Sequence, residues 1–204
     1  MPDCRVADLA IHHIIQGWET AKRDRSVTGG PLQIAGRRYG HGIGTHTVSC
    51  ADIRLDGQAS RFTTQVGVDD AVGQEGLGAA RFLVLVDGQL RADSGICRGG
   101  EPAQELSVTL TGARSLRLLA EAPDDLTHHG HADWCDATID YAGAPPELVA
   151  PDRGEAIPPL ERDPRPRLLG GLRWLARPGR PIVYQIPCCG ENLQVVCDDL
   201  PTGL

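Results

Sequence analysis

Three segments of the sequence place polar side chains beside apolar, strand-like runs. They are residues 39–47 (YGHGIGTHT), 66–70 (VGVDD) and 131–137 (HADWCDA). Imidazole and carboxylate groups in such positions can hydrogen-bond a polyhydroxylated ligand or bind a hard cation. None of the segments has the spacing of a known catalytic nucleophile. The sequence therefore predicts a recognition site rather than a bond-breaking one.

His46, Asp133 and Trp134 are the candidate sugar contacts. His46 follows a glycine-rich turn, where the backbone can approach a ligand closely, although its ring can equally tie down its own loop. Asp133 can accept hydrogen bonds from two hydroxyls. Trp134 can present its face to a sugar ring or anchor the core, and the same two alternatives apply to Trp18, with the core favoured for both.

Two groups of residues are candidate metal ligands. Asp69 and Asp70 end a strand before a glycine-rich loop, where carboxylates can bind Ca²⁺ or cap a turn. His128, His129 and His131, together with Asp133, suggest a transition-metal cluster, but their mixed spacing favours a solvated loop. We therefore predict calcium at Asp69 and Asp70 and no zinc at the histidines.

The composition excludes several kinds of partner. Lys and Arg total 20 against 27 Asp and Glu, a net charge of −7, so nucleic acid is not an expected partner. No apolar run reaches the ~18 residues that cross a bilayer, and the N-terminus does not encode a signal peptide. The seven cysteines form no C-x-x-C pair, which argues against a thiolate zinc site.

The elements that position these residues read as strands. A period of two recurs over residues 61–68, 106–110, 116–120 and 135–141, and residues 80–86 (ARFLVLV) are apolar on both faces. With turn residues such as Asp87-Gly88 between them, the pattern predicts an all-β protein with an antiparallel β-sandwich. A change of parity predicts a bulge near Ala51-Asp52, and residues 8–25 fit either strand or a helical turn.

Composition changes after residue 142. Residues 143–167 are rich in proline and charge, which predicts a semi-rigid linker. Strand-like runs follow at residues 181–186 and 193–197, but so short a segment cannot close a core by itself. We expect residues 168–204 to be the incomplete start of a second domain.

Several of these motifs together resemble a known family. Residues 15–18 (IQGW), 30–36 (GPLQIAG), 42–46 (GIGTH), 66–70 and 131–137 are similar to the NPCBM family of carbohydrate-binding modules, which are attached to bacterial glycoside hydrolases. The resemblance covers about residues 5–142. Residues 184–191 (YQIPCCGE) and 200–204 (LPTGL) look like the opening of the Ig-like segment that follows the module in α-galactosidase-like hydrolases.

The resemblance implies a jelly-roll, galactose-binding-like sandwich over residues 5–142, an extracellular location and a covalently linked hydrolase domain. This chain departs from the family pattern at Thr47, where an alanine is usual, and at Gly130, where an aspartate is usual. Cys135 replaces an alanine, and Cys188-Cys189 replace an Ala-Thr pair. The missing carboxylate at Gly130 weakens the expectation of cation binding.

These observations predict a module that binds galactose-containing glycans through loops at one end of the sandwich. The alternative is a rigid module that packs between domains without binding sugar, which Gly130 favours. No catalytic motif is present, and nothing singles out the pair of carboxylates that a glycosidase needs. Any catalytic activity is therefore expected in the linked domain.

Overall fold

The computed structural model describes residues 3–72, 78–123 and 129–150, and two short strands further on. Short 3₁₀ turns lie at Val6–Asp8, Ile11–His13 and Asp70–Val72. The strands, numbered β1 to β16, are Asp3–Arg5, Ile15–Gln16, Lys22–Arg23, Leu32–Ile34, Arg37–Tyr39, Gly42–His46, Ser49–Arg54, Ala59–Val68, Ala79–Val86, Gln89–Arg98, Gln104–Thr109, Ser115–Glu121, His131–Tyr141, Glu147–Val149, Arg167–Leu168 and Cys188–Cys189.

Two antiparallel six-stranded sheets form a sandwich. The first has the order β11-β8-β13-β6-β3, with β1 also paired to β13, and the second has the order β10-β9-β12-β7-β14, with β2 paired to β7. The predicted all-β antiparallel sandwich is confirmed. This sandwich belongs to the first of two compact units of the chain, and β15 and β16 pair with each other in the second.

The core lies between the inner faces of the two sheets. Alternate residues of the long strands point into it, as their period of two predicts. Phe62 on β8, Phe82 on β9 and Ile139 on β13 are fully buried. Phe82 packs edge-to-face against Trp134, with 5.0 Å between the ring centroids, a preferred geometry for aromatic pairs.

Strand β13 organises the first sheet. Its first half pairs with β6, in the register His131↔His46 to Cys135↔Gly42, and its second half pairs with β1. Along its other edge it pairs with β8. Because successive side chains alternate between faces, Ala132 and Trp134 enter the core while His131, Asp133 and Cys135 lie on the outer face.

A small hairpin covers part of that outer face. Strands β4 and β5 pair with each other, and Leu32, Ile34 and Tyr39 form a second apolar cluster with Cys135. A Cβ at Gly67 on β8 would lie 2.7 Å from the Ile34 side chain. Glycine there lets the hairpin pack directly on the sheet, so the outer face of β13 is buried as well.

The predicted bulge near Ala51-Asp52 is wrong, because β7 pairs with β12 in continuous register from Ser49 to Arg54. Both alternatives for residues 8–25 occur, since this stretch has a 3₁₀ turn at Ile11–His13 and two short strands. Strand β14, within the predicted linker, joins the second sheet and buries Leu148.

The remaining domain predictions, for most of residues 143–167 and for the Ig-like segment 168–204, fall largely outside the described residues. The predicted turn at Asp87-Gly88 is present, with φ of 49° and 75° at the two residues. Such positive values are typical of the tight turn that joins two antiparallel strands. No helix in the described ranges is long and apolar enough to cross a membrane.

Truncation of the central aromatic pair should destabilise the sandwich. We expect Phe82→Ala to lower the free energy of unfolding by about 3–5 kcal/mol, because it leaves a cavity beside Trp134. Denaturant unfolding followed by tryptophan fluorescence measures the change. Leu90→Ala is the matched control, since Leu90 is 42% exposed; equal losses for the two variants would contradict the assignment of Phe82 to the core.

Candidate functional site

Three rings meet at one end of the first sheet. The Trp18 ring lies parallel to that of His131, with 5.8 Å between centroids and 5° between planes. The His46 ring lies 5.0 Å from that of Trp18 and 5.7 Å from that of His131. Trp18 is 46% exposed whereas His46 is 7% exposed. We call Trp18, His46 and His131 the ring triad.

Backbone pairing brings the triad together. His46 ends β6 and His131 begins β13, and the two are direct partners in the antiparallel register. Gln16 then ties the Trp18 segment to β6, because its amide donates to the Trp18 carbonyl at 2.9 Å and its side-chain oxygen accepts from the His46 N–H at 3.4 Å. The N–H of Gly17 donates to the Val48 carbonyl.

The two histidines have different environments. His46 Nδ1 donates to the Thr47 carbonyl at 2.7 Å, which orients the ring and, in the neutral form, makes Nε2 the acceptor. Burial, followed by the nearby His46, lowers the pKa of His131. A neutral imidazole can donate one hydrogen bond and accept another, which suits the hydroxyl groups of a sugar.

Asp133 lies on the same outer face but is fully buried. It stands between Gly44 and Gly67 on the neighbouring strands and beside the Asp69 carboxylate. Burial, followed by the adjacent Asp69 carboxylate, raises the pKa of Asp133 well above its usual value. Both Asp133 carboxyl oxygens are buried and have no hydrogen-bond partner within the described residues, so the group is not at the surface, where a sugar contact would have to lie.

Trp134 is also removed from the surface. Its side chain is 3% exposed and packs against Phe82 in the core. The inward face of β13 leaves no part of the ring free to stack on a sugar. Of the three predicted sugar contacts, the structure keeps only His46 in the triad, and the aromatic surface there comes from Trp18.

Asp69 and Asp70 hold the β4–β5 hairpin. Asp69 accepts hydrogen bonds from the backbone N–H groups of Gln33 and Ala71, at 3.1 and 2.9 Å. Asp70 accepts from the N–H groups of Ala35 and Gly36, both at 2.8 Å. These bonds are the turn-capping role that the sequence left open beside calcium binding.

The same hydrogen bonds leave little room for a cation. All four carboxylate oxygens of the pair accept from protein donors, whereas Ca²⁺ needs six to eight oxygen ligands. Within the described residues, no group of three or more His, Cys, Asp or Glu side chains has the arrangement of a metal site. Calcium at Asp69 and Asp70 stays a prediction, and these residues do not fit the ion well.

Thr47 Oγ1 and His131 Nδ1 lie beside the triad, and both atoms are buried without a hydrogen-bond partner in the described part of the chain. The two carboxyl oxygens of Asp133 share this property. Because these atoms are closed off from the surface, they do not by themselves mark a ligand site. Gly130, which precedes His131, accepts from the Thr47 N–H at 2.8 Å.

The contact between Thr47 and Gly130 joins the two departures from the family pattern. A Cβ built at position 130 would overlap the Thr47 hydroxyl and lie 3.0 Å from the Thr47 Cβ. The threonine at 47 therefore requires a residue without a side chain at 130. The two departures belong to one change in the wall of the site.

The sequence favoured the core for Trp18. It suggested His131 as a metal ligand but not as a sugar contact. A signal was present for each. Residues 16–20 (QGWET) lack the alternation of a buried strand, which indicates an exposed tryptophan. His131 is two residues from Asp133 and so shares its face, but its pairing with His46 depends on strand register, which no local motif records.

Comparison with known proteins identifies the family and the fold of the chain. The NPCBM/NEW2 domain family matches residues 3–140. Alpha-1,3-galactosidase B of Akkermansia muciniphila is 30% identical over 164 residues, which are 76% of this chain and 20% of that protein. The chain thus spans about a fifth of the length of that relative.

Two solved structures have the same fold. The second CBM51 domain of Clostridium perfringens ZmpB, in complex with GlcNAc, gives a TM-score of 0.63 at 26% identity and covers 72% of this chain and 32% of that one. The CBM51 domain of Clostridium perfringens GH95, in complex with methyl-galactose, gives 0.62 at 25% identity and covers 68% and 99%.

The fold and the match define a carbohydrate-binding module of the CBM51 type. The chain belongs to the NPCBM/NEW2 domain family. The resemblance predicted from the sequence is confirmed.

The buried carboxyl of Asp133 should make stability depend on pH. Its folded pKa is raised, whereas an unfolded aspartate titrates near ~3.9. Above that pH the unfolded chain has lost a proton that the folded chain keeps, so this group lowers the unfolding free energy as pH rises, by up to about 1.4 kcal/mol per unit.

The substitution Asp133→Asn removes this loss, because an asparagine side chain cannot ionise, and its amide group is able to donate to the adjacent Asp69. Urea unfolding of both proteins between pH 4 and 8 measures the difference in unfolding free energy. We expect the unfolding free energy of the variant to increase relative to that of the wild type as pH rises from 4. A difference that stays constant over this range would show that Asp133 is ionised in the folded protein.

A side chain at position 130 should be tolerated only when Thr47 is shortened. We expect Gly130→Asp to cost about 1–3 kcal/mol because its Cβ overlaps the Thr47 side chain. Thr47→Ala removes the overlapping atoms, so the double variant should recover most of the loss. A double-mutant cycle of unfolding free energies measures this coupling, and strictly additive effects would contradict it.

Proposed function

We propose that the ring triad is the sugar-contacting surface of the module and that its ligands are galactose-type glycans. The observation that supports this most is the half-exposed Trp18 ring beside two imidazoles. An aromatic face packs against the C–H side of a hexose, while ring nitrogens bind its hydroxyls. The galactose complex of the similar GH95 module supports the same ligand class.

Each side chain of the triad has a separate role in this proposal. Trp18 supplies the apolar face. His46 is oriented by its bond to the Thr47 carbonyl and presents Nε2 as an acceptor for a sugar hydroxyl. The lowered pKa of His131 favours its neutral form, and its ring stacks parallel to that of Trp18.

The module acts by holding an attached enzyme near its substrate. The similar Akkermansia protein is named as a galactosidase and is about five times as long as the matched part, which fits a module within a hydrolase. A small site gives weak affinity, but tethering raises the local concentration of substrate without changing the chemical step. A calcium ion is not needed for any of these contacts.

The alternative is a packing module that has lost sugar binding. Gly130, which brings no carboxylate to the site, is the feature that favours it. The half-exposed Trp18 ring beside two imidazoles argues against it, because an aromatic face next to hydrogen-bonding groups suits a sugar ring. The two functions make opposite predictions for titration with a simple sugar.

Removal of the Trp18 ring should abolish binding without unfolding the module. We expect Trp18→Ala to weaken binding of methyl α-galactoside at least about tenfold, because the loss of an aromatic face costs more than about 1.4 kcal/mol. Trp18→Phe should retain part of the affinity. Isothermal titration calorimetry measures both variants.

Ile96→Ala is the matched control, because Ile96 is 48% exposed and lies on β10 in the other sheet. Its affinity should equal that of the wild type. Absence of heat with the folded wild-type chain and any galactoside would favour the packing module. Full affinity in Trp18→Ala would place the sugar elsewhere on the sandwich.

A further inference from the structure

A cleft lies at the end of the sandwich opposite the ring triad, between the edge strands β10 and β11. Its volume is about 570 Å³, within the range of small-molecule sites. On β8, residue Arg61 pairs with Thr109 at the cleft, whereas Val68 pairs with Ala132 beside the triad. Seven residues of strand separate the two positions, which is roughly 20 Å.

The cleft has an apolar floor and a polar rim. Val86, Val108 and Ala113 are buried and form the floor. Gln89 and Arg91 stand exposed on the β10 side, and the Arg91 guanidinium donates to Gln89 Oε1 at 2.7 Å. Ser107, Thr109 and Thr111, on β11 and the following turn, also line the cleft, and the Ser107 hydroxyl accepts from Arg61 Nε at 3.1 Å.

Asp87 supplies a fixed carboxylate at the base of the rim. Its Oδ1 accepts from the N–H groups of Arg114 and Ser115, both at 2.9 Å, and from the Ser115 hydroxyl at 3.2 Å. The hydrogen bonds, first that from the Ser115 backbone, lower the pKa of Asp87. The carboxylate is thus ionised and held in place, and none of these bonds uses Oδ2.

We propose that this cleft is a second saccharide site, which takes a neutral sugar unit. One carboxylate and one guanidinium balance in charge and offer an acceptor and donors to neighbouring hydroxyls. The valine floor packs against the C–H face of the ring. A strongly charged ligand would leave one of the two ionic side chains facing a like charge.

A second site changes how the module binds a glycan. The triad and the cleft face different ends of the sandwich, so they bind separate residues of a branched or multichain glycan rather than adjacent sugars. Two weak sites on one rigid frame give avidity on a dense glycan surface without new contacts at either site.

The test is a titration of the full chain, labelled with ¹⁵N, with lactose, followed by two-dimensional NMR. We expect the amide signals of Val86 and Val108 to shift, and to shift equally in Trp18→Ala. Arg91→Ala should weaken this response about tenfold or more, since a hydrogen bond to a charged group is lost.

Arg98→Ala is the matched control, an exposed arginine of β10 that does not line the cleft, and should leave the response unchanged. Shifts confined to the triad, or cleft shifts that vanish in Trp18→Ala, would overturn the second site while the proposed function stands. Shifts at the cleft alone would overturn the proposed triad ligand and keep the second site. No shift anywhere would overturn both.

Discussion

The pairing of β13 with three other strands is the constraint on which the rest of the structure depends. It joins β6 and β1 along one edge and β8 along the other, so one strand fixes the register of most of the first sheet. Its inward residues anchor the core through Trp134, and its outward residues form the base of the site. A slip of one residue would exchange the two sets.

The outer face of β13 shows how a polar group is kept in a buried place. Burial and the adjacent Asp69 raise the pKa of Asp133, and Asp69 in turn accepts the backbone N–H of Gln33 in the hairpin above it. Glycines on both neighbouring strands leave space for this arrangement. The carboxylates of Asp69 and Asp70, which the sequence suggested as ligands, therefore hold the hairpin in place. The Trp18 ring of the triad is exposed to solvent.

In the proposed function, recognition at the triad rests on few atoms. One aromatic face and two imidazoles at a strand end give a shallow surface, which suits weak and reversible attachment of an enzyme to a glycan. Thr47 and Gly130 alter one wall of that surface together, since the usual aspartate at position 130 would not fit beside Thr47 as the backbone stands. The module thus has the sandwich fold of the family but differs from the family pattern at residues 47 and 130.

The sequence by itself determined the sandwich, the turn at Asp87-Gly88 and the family, because these depend on local periodicity, turn chemistry and ordered motifs. Residues 42–46, which it suggested as a glycine-rich turn before His46, form the buried strand β6. Only the tertiary structure decided that Trp18 is at the surface and Trp134 in the core, that Asp133 is buried, and that His131 faces His46. Strand register and the covering hairpin set these outcomes, and both arise from contacts between residues far apart in the chain, which no local pattern records.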